Sequence, residues 1–361
     1  MSEVIAQFQN FAKLKDTKIA FNDITVLVGK PGTGKSYVMK SIYSIEESII
    51  LSLQDILKNN FKKYLGLSDN FDNKKLPKIP DNENLRNTSV NIKEVSNKMP
   101  ANIKNLLRSV FTNLNQISNS FKLDYKEIHL FFEKDKLQTK INSINDISLK
   151  SNVIFVETPL ILEFHKHLDK REAKTPYHIE SLMSILDENY SFTDTEQDEL
   201  IESFSTKANK IIGGNIKNSD GSFIFSRNND EDYNIFNASS GIKSIGLLQY
   251  LVTNKALKKG SILFWEEPEV HLHPDWQLKM VDLFVELMNA GVKIVFSTHS
   301  PYMGDYLHAI SKRKKFRDRV SFNALDEQDG IVTNHILNDN NWHILQDELM
   351  NSFEDILWKY L

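Results

Sequence analysis

Short apolar runs near both ends of the chain alternate with stretches of helical spacing. The first are Val4-Ile5-Ala6-Gln7-Phe8, Ile19-Ala20-Phe21 and Ile24-Thr25-Val26-Leu27-Val28. They read as strands, with a polar turn near Asp16. From Ser36 the spacing turns helical, and it predicts a helix to about residue 44. Over 46–150 the pattern changes. Helical pieces at 49–57 and 103–114 lie between Asn/Lys-rich loops punctuated by Pro77, Pro80 and Pro100. No heptad repeat is sustained, so no long coiled-coil arm is expected. Val153-Ile154-Phe155-Val156 reads as a buried strand ended by Glu157-Thr158-Pro159.

Thr175-Pro176 is a cap and first-turn pair for a helix to about residue 186. Thr193-Asp194-Thr195-Glu196 is a capping box opening a helix to about residue 212, stopped by Gly213-Gly214. Phe223-Ile224-Phe225 and Tyr233-Asn234-Ile235-Phe236 predict a hairpin around Asn228-Asn229-Asp230. The last third is the most regular: a helix over 240–252, a strand over 261–265, a helix over 276–289 and a strand over 292–297. After Ser300 the 61 remaining residues predict a helix, a hairpin near Asp329-Gly330 and a final helix. Strands alternating with helices imply an α/β core with a mixed, largely parallel sheet. The expected division is a core over 1–45 and 223–361, with a mostly helical insert over 46–222 that lends the core a strand near 153–156.

Composition narrows the class. The chain has 361 residues, 40% hydrophobic and 25% charged, as expected of a soluble globular protein able to bury a large core. It has no Cys, which excludes disulfides, thiolate metal sites and Cys nucleophiles and is compatible with a cytoplasmic location. No signal-peptide pattern is visible, and no apolar run approaches the roughly 20 residues of a membrane span, so no membrane association is expected. Net charge is −4 but uneven. From residue 58 to 150 there are 17 Lys and Arg against 10 Asp and Glu, or +7, which leaves −11 for the remainder. A basic arm on an acidic body suits an acidic partner such as DNA or RNA, and a solvated Lys/Asn-rich surface accounts for it equally well.

The chemistry concentrates in four places. Gly29-Lys30-Pro31-Gly32-Thr33-Gly34-Lys35-Ser36 matches G-x-x-x-x-G-K-S between a strand and a helix that opens with Tyr37, the context of a phosphate-binding loop. Glycines let backbone N–H groups approach phosphates, and the helix N-terminus adds partial positive charge. Lys35 is expected at the β and γ phosphates of ATP, and the Ser36 hydroxyl on Mg²⁺. Ile262-Leu263-Phe264-Trp265-Glu266-Glu267 is an apolar strand ending in two carboxylates, with Glu266 expected to hold the metal and Glu267 to act as general base on water. Val295-Phe296-Ser297-Thr298-His299 delivers an imidazole at a strand end, within reach of a γ-phosphate. Asn237-Ala238-Ser239-Ser240-Gly241-Ile242-Lys243 is by itself a capped helix start. His271, His273 and Asp275 lack a further cluster of ligand spacing. Lys312, Arg313, Lys314, Lys315, Arg317 and Arg319 form a basic run that suits either a nucleic-acid contact or a solvated helix end.

The order of these motifs resembles ABC-type ATPases, and most closely the prokaryotic branch related to RecF, SMC and OLD-type proteins, many of which act in phage defence or repair. The likeness covers 1–45 and about 223–310, and Glu-Glu-Pro-Glu…His-Leu-His-Pro is its most specific part. It implies that Ser239, Ser240 and Gly241 form a signature loop reaching the γ-phosphate of ATP held by a second copy, so that a homodimer, or a higher-order assembly, sandwiches two ATP head to tail. His299 matches the switch histidine. The glutamine that the family carries at the exit to the insert is not identifiable; Gln54 and the Val156-Glu157-Thr158 turn are the candidates for its place. Lys30-Pro31 and the Pro-Gly-Thr-Gly-Lys-Ser wording also resemble AAA+ and helicase loops, and Glu266 stands where Asp is usual. No nuclease domain fits in the tail, so a nuclease or toxin effector would be a separate protein. An AAA+ or helicase-like motor and a nucleotide-gated DNA clamp with little turnover are the alternatives.

Overall fold

The computed structural model describes residues 3–65, 92–111, 113–142, 152–165, 175–188, 195–219, 221–228, 231–347 and 349. Its centre is five parallel strands. β3 (Ile24–Val28) lies between β12 (Lys293–Thr298) and β13 (Val320–Gln328). β12 pairs with β11 (Ile262–Glu266), and β11 pairs with β7 (Val153–Val156). β7 is apolar throughout, β3 but for Thr25, and β11 and β12 over their middles, because both faces are covered. Along β3, Val26 and Val28 join one hydrophobic core while Leu27 faces the other. On β11, Leu263 and Trp265 likewise face away from Phe264. Each fully buried Val, Leu or Phe of this kind contributes about 1.5–3 kcal/mol.

A wing that is antiparallel except where β14 meets β2 extends the sheet on the other side. β1 (Val4–Phe11) and β2 (Leu14–Phe21) form a hairpin, and β13 turns back into β14 (Ile331–Leu337), which meets β2. The hairpin turn falls at Ala12-Lys13, not near Asp16, which pairs with Gln9 inside β2. Asn10 and Ala12 take the positive φ that this tight turn needs. Beyond β1 the strand order continues through β4 (Ser120–Tyr125), β5 (Ile128–Glu133) and β6 (Lys136–Ile141).

That meander adds three strands to a stretch, 46–222, in which the sequence predicts only helices and the strand near 153–156. Phe121, Leu123 and Tyr125, then Ile128, Leu130 and Phe132, alternate at the strand period of two and bury one face. Lys122, Asp124 and His129 between them occupy the opposite face, and Lys126-Glu127 form the turn, so the segment reads as polar. The boundary at 45 falls inside one element, since α1 (Lys35–Tyr64) is 30 residues long and does not end near 44. Ile42, Ile45, Ile49, Leu53 and Ile56 keep an unbroken buried stripe past Ser44. α2 (Ile92–Phe111) covers that stripe with Val95, Met99, Ile103 and Leu107, and Asn102 Nδ2 donates to Ser52 Oγ at 2.8 Å.

The remaining helices cover the other face. α3 (Ile161–Phe164) follows β7, then α4 (Tyr177–Asp187) and α5 (Thr195–Ile212). Thr193 and Asp194 of the expected capping box lie outside the described residues. A small separate sheet of β8 (Gly214–Ser219), β9 (Ser222–Arg227) and β10 (Asp232–Asn234) adds one strand to the expected hairpin, with Tyr233 opposite Phe225. α6 (Ser240–Thr253), α7 (Pro274–Asn289) and α8 (Pro301–Arg313) complete the core. The expected final helix falls mostly outside the described residues, of which none forms a helix long and apolar enough to cross a membrane.

Candidate active site

The register brings the C-terminal ends of three parallel strands to one level. Val28 of β3 pairs with Thr298 of β12, and Glu266 of β11 pairs with Ser297. Residues 29–36, 266–267 and 299 therefore emerge side by side. The phosphate-loop glycines take φ of 150° at Gly29, 84° at Gly32 and 89° at Gly34. At Gly29 a Cβ would lie 2.3 Å from the Leu325 carbonyl oxygen, so no other residue fits without moving β13.

Lys35 is only 5% exposed and its ammonium points back into the loop. Nζ donates to the carbonyls of Gly29 (2.7 Å) and Lys30 (2.9 Å), and approaches Thr33 Oγ1 at 3.5 Å. Burial pushes its pKa down to about 8, against the upward pull of Glu267, Glu269 and Glu266. The three carboxylates and the lysine thus share one electrostatic site.

Glu266 is mostly buried. Burial raises its pKa, opposed by Lys40 and by a hydrogen bond with Ser36, and Glu266 Oε1 is buried with no hydrogen-bond partner. A hydroxyl and a carboxylate in contact, with one carboxylate oxygen unsatisfied, form a hard oxygen donor set that fits Mg²⁺. Glu267 adopts φ 46°, uncommon for a residue with a side chain, and its N–H donates to Ser297 O at 3.1 Å. The twist turns its half-exposed carboxylate toward His299, whose Nε2 lies 3.1 Å from Oε1. Burial, helped by the Lys35 cation, holds the His299 pKa below its usual value against the pull of Glu267. The neutral ring with its proton on Nε2 is the form that donates to a carboxylate.

The sequence gives no role to Glu269 and considers Glu157 only as part of a turn. Glu269 Oε1 accepts the backbone N–H of His299 at 2.6 Å, so this third acid of Glu-Glu-Pro-Glu fixes where the histidine emerges. Glu157, at the end of β7 beside Glu266, binds Lys40 Nζ at 2.8 Å and His178 Nε2 at 2.9 Å. Its pKa falls to about 2, chiefly through the His178 hydrogen bond. Of the two positions considered for the family glutamine, the 156–158 turn adjoins the strand ends. Gln54 is exposed five turns along α1, roughly 28 Å from Lys35.

Ser239 caps α6, its Oγ accepting the Ile242 N–H at 3.4 Å, and it is exposed on the surface. Ser240 is half-buried. Gly241 has a use within the chain, because a Cβ there would meet the Trp276 ring at 3.2 Å. Lys243 is buried and paired with Glu163 of α3. Outside the site, His273 Nδ1 caps α7 by accepting the Asp275 N–H at 3.3 Å. Much of the basic run is structural: Lys312 pairs with Asp339, Arg319 pairs with Asp23, and Arg317 donates to the Val320 and Leu337 carbonyls.

Comparisons with known proteins agree with a nucleotide-hydrolysing site. A family profile described as AAA ATPase domain matches residues 7–303, so the chain belongs to that family and is an ATPase. No curated protein matches the sequence. Among solved structures, it is similar to the SMC head domain from Thermotoga maritima, with 11% identity, a TM-score of 0.48, and 94% of this chain and 100% of that one covered. It is also similar to an SMC head bound to the C-winged helix domain of ScpA (12%, TM-score 0.49, 94% and 99% covered). A third is an SMC head with an extended coiled coil bound to the C-terminal domain of ScpA derived from Pyrococcus furiosus (14%, TM-score 0.44, 98% and 99% covered). At these scores the likeness carries no weight for the fold, which stands on the strand order.

Proposed function

We propose that two copies of the chain close head to tail on two molecules of Mg-ATP. Residues 29–36 cradle the phosphates of one nucleotide, with Lys35 at the β and γ phosphates and Tyr37 next to the nucleotide just after them. Ser36 and Glu266 hold Mg²⁺, which supplies positive charge opposite the phosphate oxygens when bound. Glu267 accepts a proton from the attacking water as its oxygen bonds to the γ-phosphorus and ADP departs. His299 donates to a γ-phosphate oxygen. Ser239 and Ser240 of the second copy, with the Gly241 backbone, close the pocket. Closing and reopening control a separate effector such as a nuclease or toxin, in antiphage defence or DNA repair; this last part rests on the sequence resemblance.

The observation that carries the reading is the Glu267–His299 pair at 3.1 Å beside the buried Lys35. The exposed helix start at Ser239 supports the dimer, because a second copy can reach it. The test is Glu267→Gln in sedimentation with and without ATP. The reading expects turnover to fall by about 10²-fold or more and an ATP-dependent dimer to persist. Normal turnover in that variant, or a hexamer at all ATP concentrations, overturns it.

A further inference from the structure

Sheet order gives the bound nucleotide a direction. The groups facing a γ-phosphate stand at the ends of β11 and β12, on one side of the phosphate loop that follows β3. If the triphosphate lies along that loop, as the proposed function requires, its sugar and base must leave on the opposite side. There the β1–β2 hairpin approaches the first turn of α1. A Cβ on Gly34 would lie 3.8 Å from the Leu14 side chain, and Phe11 meets the Tyr37 ring edge-on at 6.4 Å.

Tyr37 is the residue immediately after Ser36, so it follows the phosphates directly. It is 39% exposed, an unusual position for a ring built into an aromatic cluster. One face is occupied: Phe111, the last residue of α2, stacks on it at 5.6 Å with the planes 7° apart. Phe111 is itself braced by Phe11 at 5.9 Å. The cluster therefore fixes the ring plane while leaving part of the tyrosine open beside the loop.

We propose that Tyr37, braced by Phe111, is the platform on which the nucleobase stacks. An aromatic face recognises any base and distinguishes little between adenine and guanine. Because α2 supplies the brace, the segment following α1 takes part in holding the base and is not a remote attachment. The proposal names a base-binding element of the ATPase site and rests on the phosphate-loop reading above.

Binding of Mg-ATP, Mg-GTP and Mg-tripolyphosphate to the full chain separates the two. Tripolyphosphate has the phosphates and no base. In Tyr37→Leu, which keeps an apolar side chain against Phe111, ATP and GTP affinities are expected to fall together by about tenfold or more. Tripolyphosphate affinity stays within about twofold, which also reports a folded loop. Tyr37→Phe keeps the platform and is expected to bind ATP like the parent. ATP affinity unchanged in Tyr37→Leu overturns the proposal. So does an equal loss of tripolyphosphate, or a Tyr37→Phe loss as large as that of Tyr37→Leu. A parent chain that binds neither ATP nor tripolyphosphate overturns the phosphate-loop reading itself.

Discussion

His299 Nε2 and Glu267 Oε1 stand 3.1 Å apart, each one residue past the end of neighbouring parallel strands, and each is held by its backbone as well as its side chain. Glu269 accepts the histidine N–H, and Ser297 accepts the Glu267 N–H. The pair is thus preset before any ligand arrives, which spares the site a rearrangement when charge develops. His299→Ala is expected to lower kcat by about 10²-fold while ATP affinity changes by a factor of a few. Steady-state kinetics beside equilibrium binding measure both. A large affinity loss with kcat unchanged would assign His299 to ground-state binding instead.

Ser239→Arg places a long cation at the exposed N-terminus of α6. It removes a cap worth about 1 kcal/mol and opposes the positive end of the helix dipole. Monomer binding of ATP is expected to survive, while the ATP-dependent dimer and turnover are lost. Sedimentation with ATP, alongside a binding titration, checks both halves.

Lys35 titrates near 8 because it is buried. A triphosphate prefers the ammonium form, so binding draws a proton onto the lysine above that pH. ATP affinity is expected to be level below about pH 8 and to fall up to tenfold per pH unit above it. Calorimetry at pH 9 in two buffers of different ionisation enthalpy reads the proton uptake directly.

Glu47 gives a second pH signature, on stability. It is buried in α1, accepts the Tyr177 hydroxyl at 3.0 Å, and its pKa is pushed up to about 8 by burial. The unfolded chain releases this proton above the ordinary value of 4.5, while the folded chain keeps it until about 8. The contribution is fully present below 4.5 and is lost as pH rises through 8, a change on the order of 5 kcal/mol. Glu47→Gln still accepts from Tyr177 and is always neutral, so its melting temperature is expected to decline less between pH 5 and 8. Parallel slopes for the two proteins would refute the assignment.

Much of the site is legible before any coordinates, because each chemical residue sits where an apolar strand ends. Val28, Glu266 and Thr298 mark those ends, and parallel register brings them level. Glu269 escapes such reading because its function is to hold another residue's backbone, which leaves no spacing signal. The meander at 120–141 and the long α1 escape for a different reason. Their buried faces are covered by partners distant in the chain, and their polar faces dominate the local composition. Phe111 is likewise 74 positions from Tyr37, a separation at which one sequence gives no hint of a stacked pair.

The length of α1 has a mechanical meaning. Thirty residues span about 45 Å, and Lys35 and Ser36 form its first turn. A tilt of about 5° at the phosphates would sweep the far end through about 4 Å, provided the rod stays stiff. α2 lies along that rod, so a movement of fractions of an ångström where ATP docks would be magnified at a distant surface, by leverage alone.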